Sequence, residues 1–180
     1  SYQTESVPTA LWSGRSIHVE TFLLREFTPI GWQFTRSGDH HATRRVLGPA
    51  IELVFNLERR ILRDPMGQMA HAAGCAEVLL FWASADDAAG AYARFVERAL
   101  AVCPSHRNAR LQMAGLLCSY ADAKVDGAHR LNARSNLQEA AALHERARGL
   151  FPAARALETT EEKLRAARAR WGIEERSAGT

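Results

Sequence analysis

A phrase that occurs three times sets the terms for what this chain folds into. It reads Glu58-Arg59-Arg60-Ile61-Leu62-Arg63-Asp64-Pro65, then Glu97-Arg98-Ala99-Leu100-Ala101-Val102-Cys103-Pro104, then Glu145-Arg146-Ala147-Arg148-Gly149-Leu150-Phe151-Pro152. Each copy opens with Glu-Arg and closes with a proline seven residues after the glutamate. The prolines lie 39 and 48 residues apart, which is one unit of about 34 residues with insertions of roughly 5 and 14. A helix-turn-helix unit cannot bury its apolar face alone, so copies stack, and stacks of this kind commonly bind other proteins.

The residues between the copies carry a helical period from Pro49 onward. Leu47, Ala50, Ile51, Val54, Leu57, Ile61 and Leu62 recur at three and four, with Pro49 placed at a first helical position. Met69 to Ala83 is apolar nearly all round, which predicts a helix buried on most sides, with Trp82 in the core. Ser84-Ala85-Asp86-Asp87 supplies a cap and acids for a third helix, with Ala88, Ala91, Tyr92, Phe95, Val96, Ala99 and Leu100 inward. The cycle restarts at Ser105 with a helix to about Val125, broken by Asp126-Gly127. Ala128 to Arg134 is read as the extra segment behind the longer spacing, and Ser135 with Gln138 as a capping box for the next helix. A last helix sets Leu157, Leu164 and Trp171 on one stripe, with Gly172 as its stop, as a terminal capping helix would.

These residues resemble the tetratricopeptide repeat family, whose units are two antiparallel helices closed by a small, a large and a second small residue and then a proline. Ala140, Ala147 and Pro152 fill the second-helix positions of one unit, and Ala99, Leu100 and Pro104 those of the unit before; Asp64-Pro65 resembles the end of another. The first-helix positions read Ala76, Leu79, Leu80 and Ala83, then Arg110, Met113, Ala114 and Leu117, of which Leu79, Met113 and Ala114 suit the family. Tyr92 stands where a small residue is expected and His144 where an aromatic is usual. The resemblance covers residues 49–171. It implies an all-α fold of antiparallel helix pairs stacked as a short α-solenoid with a C-terminal capping helix. The domain reading is a single unit, with residues 1–48 as a helical segment packed on a repeat region over 49–176. Within the first segment, Ile17 to Ile30 is expected to be helical, and Phe22 to Pro29 a degenerate earlier unit.

Composition sets outer limits. At 180 residues, 47% hydrophobic and 24% charged, this is the make-up of a globular domain. No apolar run reaches the ~18 residues of a bilayer span, so membrane insertion is not expected. Cys75, Cys103 and Cys118 sit among apolar neighbours, as buried thiols in a reducing cytoplasm would. The chain opens on Ser1 rather than Met, which suggests a trimmed chain or a fragment and leaves room for a further upstream segment. Of the 23 basic residues, all but Lys124 and Lys163 are arginine; with abundant alanine this looks like coding bias, and nucleic-acid binding is disfavoured.

No catalytic, cofactor or metal constellation emerges. His18-Val19-Glu20 resembles the start of a zinc-deaminase motif, but the required Pro-Cys-x-x-Cys does not follow. Asp39-His40-His41 reads as a helix cap followed by two solvated histidines, since adjacent helical side chains point about 100° apart. Trp12 and Trp32 fit either surface anchors for a partner or core residues, and core is favoured because large aromatics are mostly buried. The charge pattern is more pointed: residues 105–135 carry a net +3, equal to the whole chain. Arg107, Arg110 and Lys124 share one side of a helix there, and are the candidate partner-binding residues for an acidic peptide. The expected function is thus a non-catalytic adaptor or scaffold that holds a protein segment in a helical-repeat groove. Leu111 and Gly115 occupy positions where the family's chaperone-tail binders carry a Lys and Asn clamp, so that role is not implied. The alternatives are a helical accessory domain of a larger enzyme or sensor and, further off, an RNA-binding helical repeat.

Overall fold

The computed structural model describes residues 33, 38–86 and 88–173. The expectations for Trp12, Trp32, His18-Val19-Glu20, the helix over Ile17 to Ile30 and Asp87 lie outside the described residues. Among the described residues the chain is all-helical, with no strand. The helices are α1 (His40–Arg63), α2 (Met69–Ala85), α3 (Ala91–Val102), α4 (Arg107–Asp126), α5 (Ala133–Leu150) and α6 (Ala156–Trp171).

Helix α1 starts nine residues before Pro49, where the sequence had placed its beginning. Asp39 sets this start: its Oδ1 accepts from the Ala42 N–H at 2.8 Å, and the Thr43 hydroxyl donates to the Asp39 carbonyl at 3.1 Å. His40 and His41 are exposed, as expected of a capped and solvated turn. Pro49 removes one backbone donor, the one the Arg45 carbonyl would have used. Both residues are on the exposed side, where solvent serves that carbonyl, so the helix continues through the proline. Residues 48 and 49 are therefore neighbours within one turn of a single helix. Leu47, Ile51, Val54, Leu57 and Ile61 form its buried stripe, while Leu62 is 49% exposed.

Three helices stop in the same way. The residue before each phrase proline is the C-cap: Asp64 (φ −138°, ψ 74°), Cys103 (φ −139°, ψ 86°) and Phe151 (φ −149°, ψ 87°). Each donates its N–H to the carbonyl four residues back, on Arg60, Ala99 and Ala147 respectively. A following proline excludes the α conformation at these sites, so the chain leaves the helix and turns. The next helix then begins within four residues of each proline.

Helix starts diverge more from the sequence reading. Ser84 and Ala85 remain in α2; Asp86 accepts from the Ala88 N–H at 2.9 Å within a turn, and α3 begins only after Gly90 (φ 72°). Ala88 is consequently exposed. The cap of α4 is His106, whose Nδ1 accepts from the Ala109 N–H at 3.3 Å. Helix α5 begins before Ser135, so no capping box forms; the Ser135 hydroxyl instead lies 3.4 Å from Glu139 Oε1. The longer proline spacing comes mostly from longer helices. The α4–α5 pair has 20 and 18 residues against 17 and 12 in α2–α3.

Packing is stepwise. Helices α1, α2 and α3 touch one another, and α5 touches α6; α4 packs on α2, α3, α5 and α6, whereas α3 and α5 do not meet. Close approach is permitted by alanines that are fully buried, among them Ala99, Ala109, Ala114, Ala121, Ala140 and Ala147. Ten residues of α2 are buried, and Trp82 packs at the margin of the main core. The extended ends of α4 and α5 close with α6 over a second cluster of Ala121, Leu137, Ala140, Leu164 and Ala167, edged by Trp171. Gly172 ends α6 in the left-handed conformation (φ 61°), as its position suggested. No described helix is long and apolar enough to cross a membrane.

Candidate functional site

The three sequence-chosen cations all turn toward α5. The Arg107 guanidinium lies 5.9 Å from the Phe151 ring centroid, Arg110 Nη2 donates to the Gly149 carbonyl at 3.4 Å, and Lys124 Nζ pairs with Glu139 at 2.5 Å. The structure does group them on one side of α4. It does not leave them without partners, because the long α5 lies beside that side and supplies an acceptor, a ring and a carboxylate, although Arg107 stays exposed and the Lys124 side chain half-exposed. The Lys124 hydrogen bond, followed by its charge, holds the Glu139 carboxyl below the usual carboxylate range. Two other basic residues of the same segment, Arg130 and Arg134, are exposed and make no hydrogen bond or ion pair among the described residues.

The free surface of α4 has a different chemistry. Leu111, Gly115 and Ser119 follow at four-residue intervals, and Gln112, Leu116 and Tyr120 form the adjacent row. Neither row contains a charge. Leu111 is 41% and Tyr120 46% exposed, and the Ser119 hydroxyl folds back onto the Gly115 carbonyl at 3.1 Å. Tyr92 of α3 joins this face by donating to Gln112 Oε1 at 3.0 Å. Its phenol is raised above the ordinary value by burial, so it stays a neutral donor. Sequence reading placed Leu111 and Gly115 at the family's clamp positions without assigning them a partner; Leu116, an apolar type, packs partly on the main core, and only the register of α4 shows which of its side chains form the open face.

Other titratable clusters hold the fold together. Glu77 is buried and accepts from His106 Nε2 at 2.8 Å. Since Nδ1 of that ring accepts from the Ala109 N–H, the proton sits on Nε2, and one imidazole joins α2 to the start of α4. His144 is likewise buried, with Nε2 3.0 Å from the Leu157 carbonyl, tying α5 to α6. A cleft of about 180 Å³ beside it is lined by Arg148, Arg165, Glu145 and Glu161 among others. Its charges are mutually paired: Arg148 to Glu145 at 3.1 Å and to Glu161 at 3.8 Å, Arg165 to Glu161 at 3.6 Å.

Cys75 and Cys118 are buried thiols without activation, whereas Cys103 is only partly buried. Burial, with the nearby Glu58 charge, pushes the Cys75 thiol up to about 12, and burial also raises Cys118; both favour the unreactive neutral form. Among the described residues, no three His, Cys, Asp or Glu side chains gather as a metal site. Compared with known proteins, the chain matches no family model, no curated protein and no solved structure.

Proposed function

We propose that this chain is a non-catalytic protein-binding module, an adaptor built as a short tetratricopeptide-like stack, and that it holds a partner segment along the free face of α4. The stack reading is supported by the three matching proline stops and by the stepwise packing, in which every pair of consecutive described helices is in contact. Two fully buried alanines at equivalent phrase positions, Ala99 and Ala147, add to that support.

The observation that carries the binding reading is the uncharged double row on α4. Exposed Leu111 and Tyr120 stand on the one helix that contacts four others, and Tyr92 reaches the same face from α3, so all three are held by a rigid support. Tyrosine and leucine offer large contact area at small entropic cost, and Gln112 and the two phenols supply directional hydrogen bonds. A partner segment with apolar side chains at alternate or helical spacing would bury this face; Arg107, Arg110 and Lys124 at its border would meet carboxylates of that segment.

The test is a purified partner. A protein captured on this chain, purified and titrated back, should crosslink to a photoreactive residue at Ser119. It should lose at least about tenfold in affinity, on the order of 1.4 kcal/mol, on Leu111→Arg or Tyr120→Arg, with melting unchanged. A partner that binds both variants like the parent removes the α4 face from this reading.

A further inference from the structure

The most exposed apolar side chain among the large ones described is not on α4. It is Leu131, 91% exposed, at the tip of the α4–α5 connection. An apolar residue just before a helix cap commonly folds back onto the fourth helical residue and staples the entry. Here the cap is Asn132 and the fourth helical residue is Asn136, whose amide is engaged by the Lys124 carbonyl at 3.2 Å. Leu131 therefore has nothing apolar to fold onto.

The tip is nonetheless held in one shape. Asn132 spans it, with Oδ1 accepting from the His129 N–H at 2.7 Å and Nδ2 donating to the Gly127 carbonyl at 3.3 Å. The Leu131 N–H donates to His129 Nδ1 at 3.4 Å, and the Ala133 N–H to the His129 carbonyl at 2.8 Å. Arg130 precedes Leu131 and Arg134 follows it, both exposed and without a partner among the described residues. Arg134 also sits in the first turn of α5, which contains no acid, where a cation opposes the helix dipole. Helix stability does not account for that placement.

We infer that the α4–α5 tip is a docking knob for an acidic protein segment with interspersed apolar residues: Leu131 packs among those apolar side chains, and Arg130 and Arg134 meet the carboxylates beside them. The inference rests on the reading of the chain as a protein-binding module and adds a second contact outside the α4 face. Charge complementarity fixes the partner's sign, since residues 127–138 contain two arginines and no acid. A lipid surface is less well matched, because one aliphatic side chain is a weak anchor and a fluid surface gains little from a braced tip. RNA readers stack bases on aromatic rings; residues 127–138 contain no Phe, Tyr or Trp, and the one ring there, His129, is tied into the tip as acceptor of the Leu131 N–H.

The probe is a short synthetic peptide in which Glu and Asp alternate with Leu and Phe, beside its Gln and Asn counterpart. Titrations are followed by NMR at the Leu131 methyls and the Arg130 and Arg134 Nε–H signals. The expected result is a response confined to the tip, absent with the uncharged peptide and weakened by salt. Leu131→Asn and the pair Arg130→Gln, Arg134→Gln should each lower affinity at least about tenfold with melting unchanged, and Asn132→Ala should lower it through lost bracing. A response on Leu111 and Tyr120 instead, untouched by Leu131→Asn, overturns the knob while leaving the α4 reading in place. No response anywhere at millimolar peptide overturns it too. So does binding to phosphatidylserine-containing vesicles, lost in Leu131→Asn, with the peptide silent.

Discussion

Glu58 and Arg98, the first residue of one copy of the repeated phrase and the second residue of the next, meet across α1 and α3 as a two-pronged ion pair. Arg98 Nε donates to Glu58 Oε1 at 2.8 Å, and Nη2 to Oε2. The guanidinium also lies 4.3 Å and 4.7 Å from the ring centroids of Phe55 and Phe95. Glu58 is buried, with its side chain 7% exposed against 35% for Arg98. The first two copies of the phrase thus latch α1 to α3. Arg98→Ala should cost about 3 kcal/mol, since it strands a carboxylate in the core. Replacing both residues with apolar ones of similar size should cost clearly less. Urea unfolding of the single and double variants measures this directly, and equal losses would mean the pair acts only through its packing.

Ala99 and Ala147 have no exposed surface, and each accepts the stop hydrogen bond of its helix. Ala99→Arg or Ala147→Arg should destabilise by several kcal/mol, on the order of 3 or more, through overpacking and a buried cation. A thermal melt matching the parent's would contradict the close helix approach described above.

The basic side of α4 now has an internal competitor. Lys124→Glu places a second carboxylate against Glu139, while Lys124→Glu with Glu139→Lys restores the pair with its signs exchanged. Melting should move little in either, because surface pairs of this kind contribute little. If a partner reads the positive stripe, Arg110→Glu with Lys124→Glu should weaken binding at least about tenfold, and the exchanged pair should not rescue it. Full rescue by exchange would assign Lys124 a purely internal role. The support that Glu139 receives is present above the pKa of an unfolded carboxylate and fades as pH falls through its depressed folded value.

Cys75 predicts an alkaline weakness. Its folded thiol titrates near 12 against 9.0 ordinarily, with burial the main cause. Below 9 both folded and unfolded forms hold the proton and nothing is lost. Between 9 and about 12 only the unfolded chain releases it, so stability falls by about 1.4 kcal/mol per pH unit from this group. Denaturant midpoints for the parent and Cys75→Ala at pH 8 and pH 11 should show the parent losing more. Parallel losses would place the alkaline effect elsewhere, in Tyr92 or Lys163.

The helices and their stops were legible because they depend on local chemistry. Pro65, Pro104 and Pro152 act on the residue immediately before them, so spacing alone located three helix ends. Helix starts were less legible. Ser84, Ser105 and Ser135 are good capping residues by type, but His106, Gly90 and Asn132 hold those places because burial of Ala109, Ala91 and Ala133 sets the register. The binding surface was least legible. Charge can be counted along the chain, yet whether Arg110 and Lys124 stand free depends on how far α5 extends beside α4, a tertiary fact.

That α4 touches α2, α3, α5 and α6, while α1–α3 and the α5–α6 pair share no helix contact, makes it a keystone in thermodynamic terms. The two groups of helices can sense each other's unfolding only through α4. Amide exchange in α5 and α6 should therefore include openings that spare α2 and α3, each set limited by its own hold on α4. Any segment that seats on the free face of α4 stabilises the element both groups depend on, so its binding would slow exchange on both sides at once.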